Sequence, residues 1–417
     1  MSGLDAHQEV FRRGAHAPAG AFLAVGAVLG VAGFGFFAML ALGDDPDRAW
    51  RMFLVNFLFF TGLSVAGVLF SAIQTITEGR WAGPIVRFAE AAVAFLPASL
   101  FCFLILFLGR HHLFPWIEHP TPARGPWLTT PWVFWRDLAA LLVLFATAAA
   151  FVVNNLKPDL LALREHVTGA RGEMYDRLLG GYDGSDAARE ALERRAGRLA
   201  PALVLVYAYM MTILGFDLIM SLAPYWISTL FGAFFFMGAF LTGLTMLALM
   251  MVYWRAKLDM RVLIGRQQFH DLGKLIFGFS VFWAYLMYSQ LLVIWYGNLR
   301  EETAFVFWRL WGDWRPLAIL VGLMVFLIPF WGLIWVKAKI TPAMFTVFVA
   351  ISFVGVWLER YLLVQPSLTD QPVFGLPEVG VTAGFLGLFL LAYGLFARTF
   401  PMVSPRMVAR TLEAVHH

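Results

Sequence analysis

The sequence is short of charge and of cysteine. Only 14% of its 417 residues are Asp, Glu, Lys or Arg, whereas about 25% is usual in a soluble domain. So little charge cannot cover a water-soluble body of this size, which excludes soluble enzymes, nucleic-acid-binding modules and disordered tails. The single cysteine, Cys102, excludes an internal disulfide framework and any iron–sulfur or zinc cluster built on several thiolates.

Histidine is absent from the positions where a membrane cofactor would need it. The nine histidines fall in termini, in loops or at the ends of apolar runs, so no pair can ligate a haem between helices. His111, His112 and His119 share one loop, which lacks the acidic cluster of a metal site. P-loop, GxGxxG, HExxH and triad spacings are also missing. The sequence therefore predicts no cofactor held by metal ligation or a covalent bond, and no nucleic-acid partner.

Long apolar runs dominate what is present. Hydrophobic residues make up 60% of the chain, mean hydropathy is +0.73, and about 20 apolar residues suffice for a helix to cross a bilayer. Because backbone polar groups must be paired in lipid, such runs form helices. We predict an all-α integral membrane protein with ten transmembrane helices, called spans one to ten, and a cytoplasmic hairpin over 157–198. The predicted spans cover about 19–43, 52–77, 88–109, 131–156, 199–222, 226–254, 270–297, 316–337, 341–364 and 379–398.

The distribution of Lys and Arg predicts the orientation. With ten spans, both termini and the loops that follow spans two, four, six and eight lie on one side. This side has 21 of the 31 Lys and Arg residues. The other side has eight, and the remaining two lie within spans. Because positive loops stay in the cytoplasm, we expect both termini there, in the inner membrane of a bacterium.

Polar side chains inside the spans form two predicted layers. An ionised group at the bilayer centre costs about 2.5–3.5 kcal/mol on insertion scales, so each such group suggests a function. We therefore expect two halves of a proton pathway. The cytoplasmic half comprises Gln74, Glu90, His270, Asp271 and Lys274. The periplasmic half comprises Arg136, Asp137, Asp217, Tyr285, Tyr288, Ser289, Glu359 and Arg360.

Span seven has the most regular polar pattern. His270, Lys274, Gly278, Tyr285 and Ser289 are spaced by 4, 4, 7 and 4 residues, so they share one helical face. Titratable and hydroxyl groups along one face could pass protons through intervening water. The alternative is structural: Lys274 extends to the interface and the tyrosines bond neighbouring backbone. The adjacent Glu359 and Arg360 could likewise be an ion pair that only fixes helix packing.

Two segments of span seven resemble a known family. Residues 269–274 read FHDLGK, and residues 282–303 read FWAYLMYSQLLVIWYGNLREET. This pattern resembles the polysulfide-reductase membrane-subunit (NrfD-like) family, and within it the F-type subunits of alternative complex III, a respiratory quinol:cytochrome c oxidoreductase. The likeness covers the whole chain in length and span count and is sharpest over 255–303.

The resemblance implies a fold and a set of partners. It implies two four-helix bundles, spans two to five and six to nine, flanked by spans one and ten. It also implies a second NrfD-like subunit, an iron–sulfur subunit and c-type cytochrome subunits as partners in the lipid bilayer. The family's membrane subunit has no redox cofactor of its own, and whether a quinone such as menaquinone binds this subunit is left open.

Three roles are compatible with these observations. The first is a proton-translocating subunit of the complex, and the second is a purely structural scaffold or a quinone-binding membrane anchor. The third, a secondary transporter, is disfavoured because the two halves of the chain lack paired helices interrupted by Gly or Pro.

Overall fold

The computed structural model describes residues 14, 17–43 and 45–415; His7, His16, His416 and His417 lie outside them. Within these residues the chain is helical and has no strand, and ten helices are long and apolar enough to cross a membrane. The predicted fold class is thus confirmed. The spans run Gly20–Ala41, Pro46–Ile76, Arg80–Leu113, Thr130–His166, Asp186–Leu222, Phe231–Lys257, Arg266–Gly297, Gly312–Leu333, Pro342–Ser367 and Leu376–Thr399.

Several spans extend beyond their apolar runs. Ser185 caps the amino end of span five by accepting a hydrogen bond from the Ala188 amide, so the helix begins 13 residues before the predicted 199. Span four likewise continues past Asn155 to His166. The predicted hairpin over 157–198 is therefore mostly helical extension, with the helix Gly169–Leu179 between the two spans. We call the side with this helix and the helix Pro405–Val415 the hairpin face, and the other side the opposite face.

Span two lies at the centre of the molecule, and its apolar stretch is fully buried. Spans two to five pack on one another, spans six to nine do the same, and spans two, five, six and nine form the contact between the two groups. Span ten packs on spans one, two and three. This is the arrangement of two four-helix bundles with flanking helices one and ten that the resemblance implied.

Small residues allow spans one and ten to approach closely. A Cβ on Gly26 would lie 2.6 Å from the Leu391 backbone nitrogen, and a Cβ on Gly33 would overlap the Gly384 backbone. Lipid is as apolar as leucine, so close backbone packing rather than a hydrophobic gain holds such helices together. Only glycine fits this seam.

We expect Gly33→Leu to destabilise the protein because the new side chain would force spans one and ten apart. Overpacking of this kind costs about 1–3 kcal/mol, which lowers the thermal unfolding temperature of the purified chain in detergent. Gly35→Leu is the matched control, since a Cβ at Gly35 meets nothing within 4 Å. Equal unfolding temperatures for the two variants would contradict the close packing of spans one and ten at Gly33.

Candidate functional site

A buried cluster of charges lies near the hairpin face, around Glu90. Arg87 bridges two carboxylates: its Nη1 lies 2.6 Å from Glu90 Oε2 and its Nη2 lies 2.5 Å from Asp159 Oδ2. The second Glu90 oxygen accepts hydrogen bonds from Ser71 Oγ at 2.6 Å and from Asn155 Nδ2 at 2.8 Å. All these residues are buried. One guanidinium and two carboxylates leave this Glu90 cluster with one excess negative charge.

The chain terminus completes the cluster. Ser404 Oγ donates a hydrogen bond of 2.9 Å to Asp159 Oδ1, just before the helix Pro405–Val415 begins. In that helix the Thr411 hydroxyl bonds the Arg80 carbonyl at the start of span three. Arg406 lies within electrostatic reach of Asp159 and 4.0 Å from Glu193. The carboxyl-terminal helix therefore closes one side of the cluster.

A polar cavity of about 500 Å³ adjoins the cluster. Ser71 and Asn155, which bond Glu90, form part of its wall, together with Gln74 and Asn154. The side-chain oxygens of Gln74 and Asn154 are buried without a hydrogen-bond partner in the protein. Buried polar groups of this kind are normally satisfied by water, and the cavity has room for several molecules. It offers water a route from the hairpin face to Ser71 and Asn155, the two residues that bond Glu90 Oε1.

Half of this cluster was missed by the sequence analysis. Glu90 and Gln74 were predicted as members of the cytoplasmic half of a proton pathway, and the structure places Glu90 in the cluster and Gln74 in the wall of its cavity. Arg87 and Asp159 were not singled out, because they flank the apolar runs and looked like loop charges. The i, i+3 spacing of Arg87 and Glu90 at a helix start was the one available signal.

The three other residues predicted for this pathway lie apart from Glu90. At the start of span seven, Lys274 Nζ pairs with Asp271 Oδ1 at 2.7 Å, and His270 Nδ1 lies 3.7 Å from the same oxygen. The Lys274 side chain is 57% exposed. In the described part of the chain, no hydrogen bond or ion pair connects this trio with the Glu90 cluster. Its geometry is that of interfacial side chains.

A second cluster lies near the opposite face, within the first bundle. Arg136 Nε pairs with Asp217 Oδ2 at 2.6 Å, and Trp127 Nε1 donates a hydrogen bond of 2.9 Å to Asp217 Oδ1. The Arg136 guanidinium also stacks 3.8 Å from the Trp127 ring centre. Spans four and five are thereby joined by a charge-assisted contact. Trp127 belongs to the loop before span four.

Asp137 has the least compensated environment of the predicted residues. It is fully buried, neither carboxylate oxygen has a hydrogen-bond partner, and it interacts electrostatically with Asp217. Burying a carboxyl without hydrogen-bond partners is costly. Asp137 is therefore an uncompensated buried carboxyl beside the Arg136–Asp217 pair.

Glu359 and Arg360 form a third cluster, in the second bundle. Arg360 Nη1 lies 3.0 Å from Glu359 Oε2, and its Nη2 donates 3.1 Å to the Phe235 carbonyl. Gly238 leaves room for this guanidinium, because a Cβ there would lie 3.0 Å from Arg360 Nη2. Both charged residues are buried. Near Arg360, the Tyr207 hydroxyl donates a hydrogen bond of 2.6 Å to the Phe236 carbonyl.

Two basic residues outside the spans are also buried. Burial lowers the pKa of Arg309 well below its ordinary value, and its Nη atoms bond the carbonyls of Phe305 and Leu363 at 2.9 and 2.6 Å. Burial and the nearby charge of Lys274 lower the pKa of Lys339, whose Nζ bonds the Leu333 carbonyl at 2.7 Å. Backbone carbonyls thus replace water around both cations.

The polar stripe of span seven faces away from the protein. Its members do share one helical face, but Tyr285 and Tyr288 are 59% and 61% exposed, and Ser289 is half-buried. The buried face of this span includes Leu272, Ile276, Trp283 and Leu286. In this single chain the stripe would contact lipid or a partner rather than line an internal channel.

Among the described residues, no direct hydrogen bond joins the two ends of the predicted pathway. Between them the core contains hydroxyls such as Ser64 and Thr242, which bond carbonyls of their own helices at 2.7 and 2.9 Å. Thr61 and Ser99 bond each other at 2.5 Å. Among the described hydrogen bonds none links the Glu90 cluster to Asp217 or Glu359. The charged clusters near the two faces are thus separated by core whose described hydroxyls mostly bond their own helices.

These features define a ten-span helical membrane protein with buried acids near both faces. Among residues 14, 17–43 and 45–415, no group of three His, Cys, Asp or Glu side chains could hold a metal ion. Comparison of the chain with protein-family models gives no match, and comparison with curated proteins gives none either.

We expect Arg87→Met to destabilise the chain strongly, because it leaves two buried carboxylates without their shared cation. Breaking a buried ion pair costs about 3–5 kcal/mol, which would appear as a large drop in thermal unfolding temperature in detergent.

The control for this variant is Arg164→Met. Arg164 pairs with Asp176 at 2.5 Å on the exposed hairpin, where solvent screens the charges, so little change is expected. Similar drops in unfolding temperature for the two variants would show that the Arg87 bridge stabilises the protein no more than an exposed ion pair does.

Proposed function

We propose that the chain is a membrane subunit of a quinol:cytochrome c oxidoreductase of the alternative complex III type. In this role it provides proton pathways and scaffolding, and electrons pass through other subunits. The observation that supports this most directly is the Glu90 cluster, a buried group with one excess negative charge beside a polar cavity. A proton taken up from water in that cavity would neutralise the excess charge.

The proposal includes an orientation and partners. The hairpin face has the excess of Lys and Arg, so we place it in the cytoplasm and the protein in a bacterial inner membrane. The Glu90 cluster then takes up protons from the cytoplasm, and Asp137 with Asp217 releases them on the periplasmic side. The resemblance of span seven supports a second NrfD-like subunit, an iron–sulfur subunit and c-type cytochromes as companions, and a quinol, menaquinol in particular, as their electron donor.

The test is Glu90→Gln in the assembled complex in sealed vesicles. The amide keeps the shape, and its oxygen can still accept hydrogen bonds from Ser71 and Asn155. It gives up the ion pair with Arg87, which keeps Asp159 as its partner, and it cannot gain and lose the proton. We expect fewer protons released per quinol oxidised, with assembly and quinol oxidation retained. Glu190→Gln, an exposed acid on the hairpin face, is the control and should leave the stoichiometry unchanged.

A structural scaffold is the second candidate, and one observation favours it. The Arg87–Asp159 contact joins spans three and four, and the Arg136–Asp217 contact joins spans four and five. The same clusters therefore also fix helix packing. If Glu90→Gln altered only the yield of assembled complex and left protons per quinol unchanged, the scaffold would be the better account.

A further inference from the structure

An apolar cavity of about 260 Å³ lies inside the second bundle, near the opposite face. Aromatic side chains from spans six, seven and eight and from the helix Arg300–Leu310 line it together with aliphatic ones. The aromatic residues are Phe231, Phe234, Trp283, Tyr288, Phe305 and Phe326. A dry cavity of about 150 Å³ already accommodates benzene, so this one has room for a substituted ring. Aromatic walls with few polar groups are typical of ligand sites.

Buried polar atoms without partners lie on this apolar wall. Glu359 is 2% exposed; Arg360 Nη1 hydrogen-bonds its Oε1 at 3.3 Å and lies 3.0 Å from its Oε2, an ion-pair contact without hydrogen-bond geometry. Arg309 is 5% exposed, and its Nε is likewise unpaired. The Trp283 indole N–H lies near the Glu359 carboxylate without hydrogen-bond geometry. Glu359 Oε2, Arg309 Nε and Trp283 Nε1 thus lack a well-aligned hydrogen bond within the protein, and leaving buried polar atoms in this state is costly. A molecule in the cavity could supply the missing bonds.

The cavity opens toward the bilayer rather than toward water. Its more exposed wall residues, Tyr288, Leu291, Ala318 and Gly322, belong to spans seven and eight. These two spans pack together mainly over the later part of span eight, so they diverge around 315–322. Span eight also contains a π-helical stretch, Leu323–Leu327, beside this opening, and such irregular turns are frequent at functional sites.

We infer that this cavity binds a lipid-soluble molecule whose head is an uncharged ring bearing a hydroxyl group. The hydroxyl would donate to Glu359 Oε2, and the Trp283 and Arg309 N–H groups would bond its oxygen or a second one. A charged head is disfavoured because the Glu359 carboxylate is already paired with Arg360. The site stands whether or not the chain translocates protons, so its failure and that of the proposed function are separate results.

The test uses the full chain in lipid nanodiscs and two probes, 4-nonylphenol and 4-nonylanisole. The anisole has a methyl group in place of the hydroxyl hydrogen, so it cannot donate a hydrogen bond. We expect the phenol to bind more tightly than the anisole in the native protein. Glu359→Gln should weaken phenol binding about ten- to a hundredfold, the usual effect of losing a hydrogen bond to a charged group. Glu301→Gln, an exposed acid on the helix Arg300–Leu310, should bind as the native protein does.

A second variant protects the test against misfolding of Glu359→Gln. A Cβ on Gly322 meets nothing within 4 Å, so Gly322→Phe fills the cavity from span eight and should abolish binding with Glu359 intact. Equal phenol binding by the native protein and Gly322→Phe, or equal binding of the two probes, would overturn the inference.

A third probe distinguishes two sources of the natural ligand. A short-tailed hydroquinone that displaces the phenol, when its oxidised quinone does not, would indicate a membrane quinol. Displacement by a hydroxylated sterol-like lipid in place of the hydroquinone would indicate a structural lipid. Either result supports a ring hydroxyl as the recognised group, and displacement by neither would contradict it.

Discussion

Arg87 between Glu90 and Asp159 is the contact on which much of this structure depends. Three ionised side chains at this depth would be rejected by lipid if each were alone. Together they satisfy one another, and Ser71, Asn155 and Ser404 bond the remaining carboxylate oxygens. The cluster thus holds spans two, three and four and the chain terminus in one arrangement. The same arrangement leaves one excess negative charge beside a polar cavity.

The buried acids of the two faces have different surroundings. Glu90 is bonded on every side and adjoins a polar cavity, whereas Asp137 is buried without any hydrogen-bond partner. Glu359 lies between the two cases, because it is paired with Arg360 and also lines an apolar cavity. Acids that differ in this way suit different tasks: proton uptake from water, proton release, and recognition of a ligand.

Much of the fold could be predicted from the sequence, because a bilayer permits few structures. Uncharged runs gave the ten spans, and the polar residues within them included Glu90, Asp137, Asp217 and Glu359. Partners at the ends of runs could not be predicted, since Arg87 and Asp159 look like loop charges until the helices are seen to extend past the apolar runs. The spacing in span seven predicted that its polar residues share one helical face. It could not predict whether this face points into the protein or toward lipid, because both surroundings are apolar.

The central claim is that water reaches the Glu90 cluster from the hairpin face alone. Cysteine labelling tests it directly, because the native Cys102 is buried and gives little background. We expect a membrane-impermeant maleimide to modify Asn154→Cys from the side that modifies the exposed control Glu190→Cys, and not from the other side. Modification of Glu190→Cys without modification of Asn154→Cys, or modification of Asn154→Cys from the opposite face, would contradict the account.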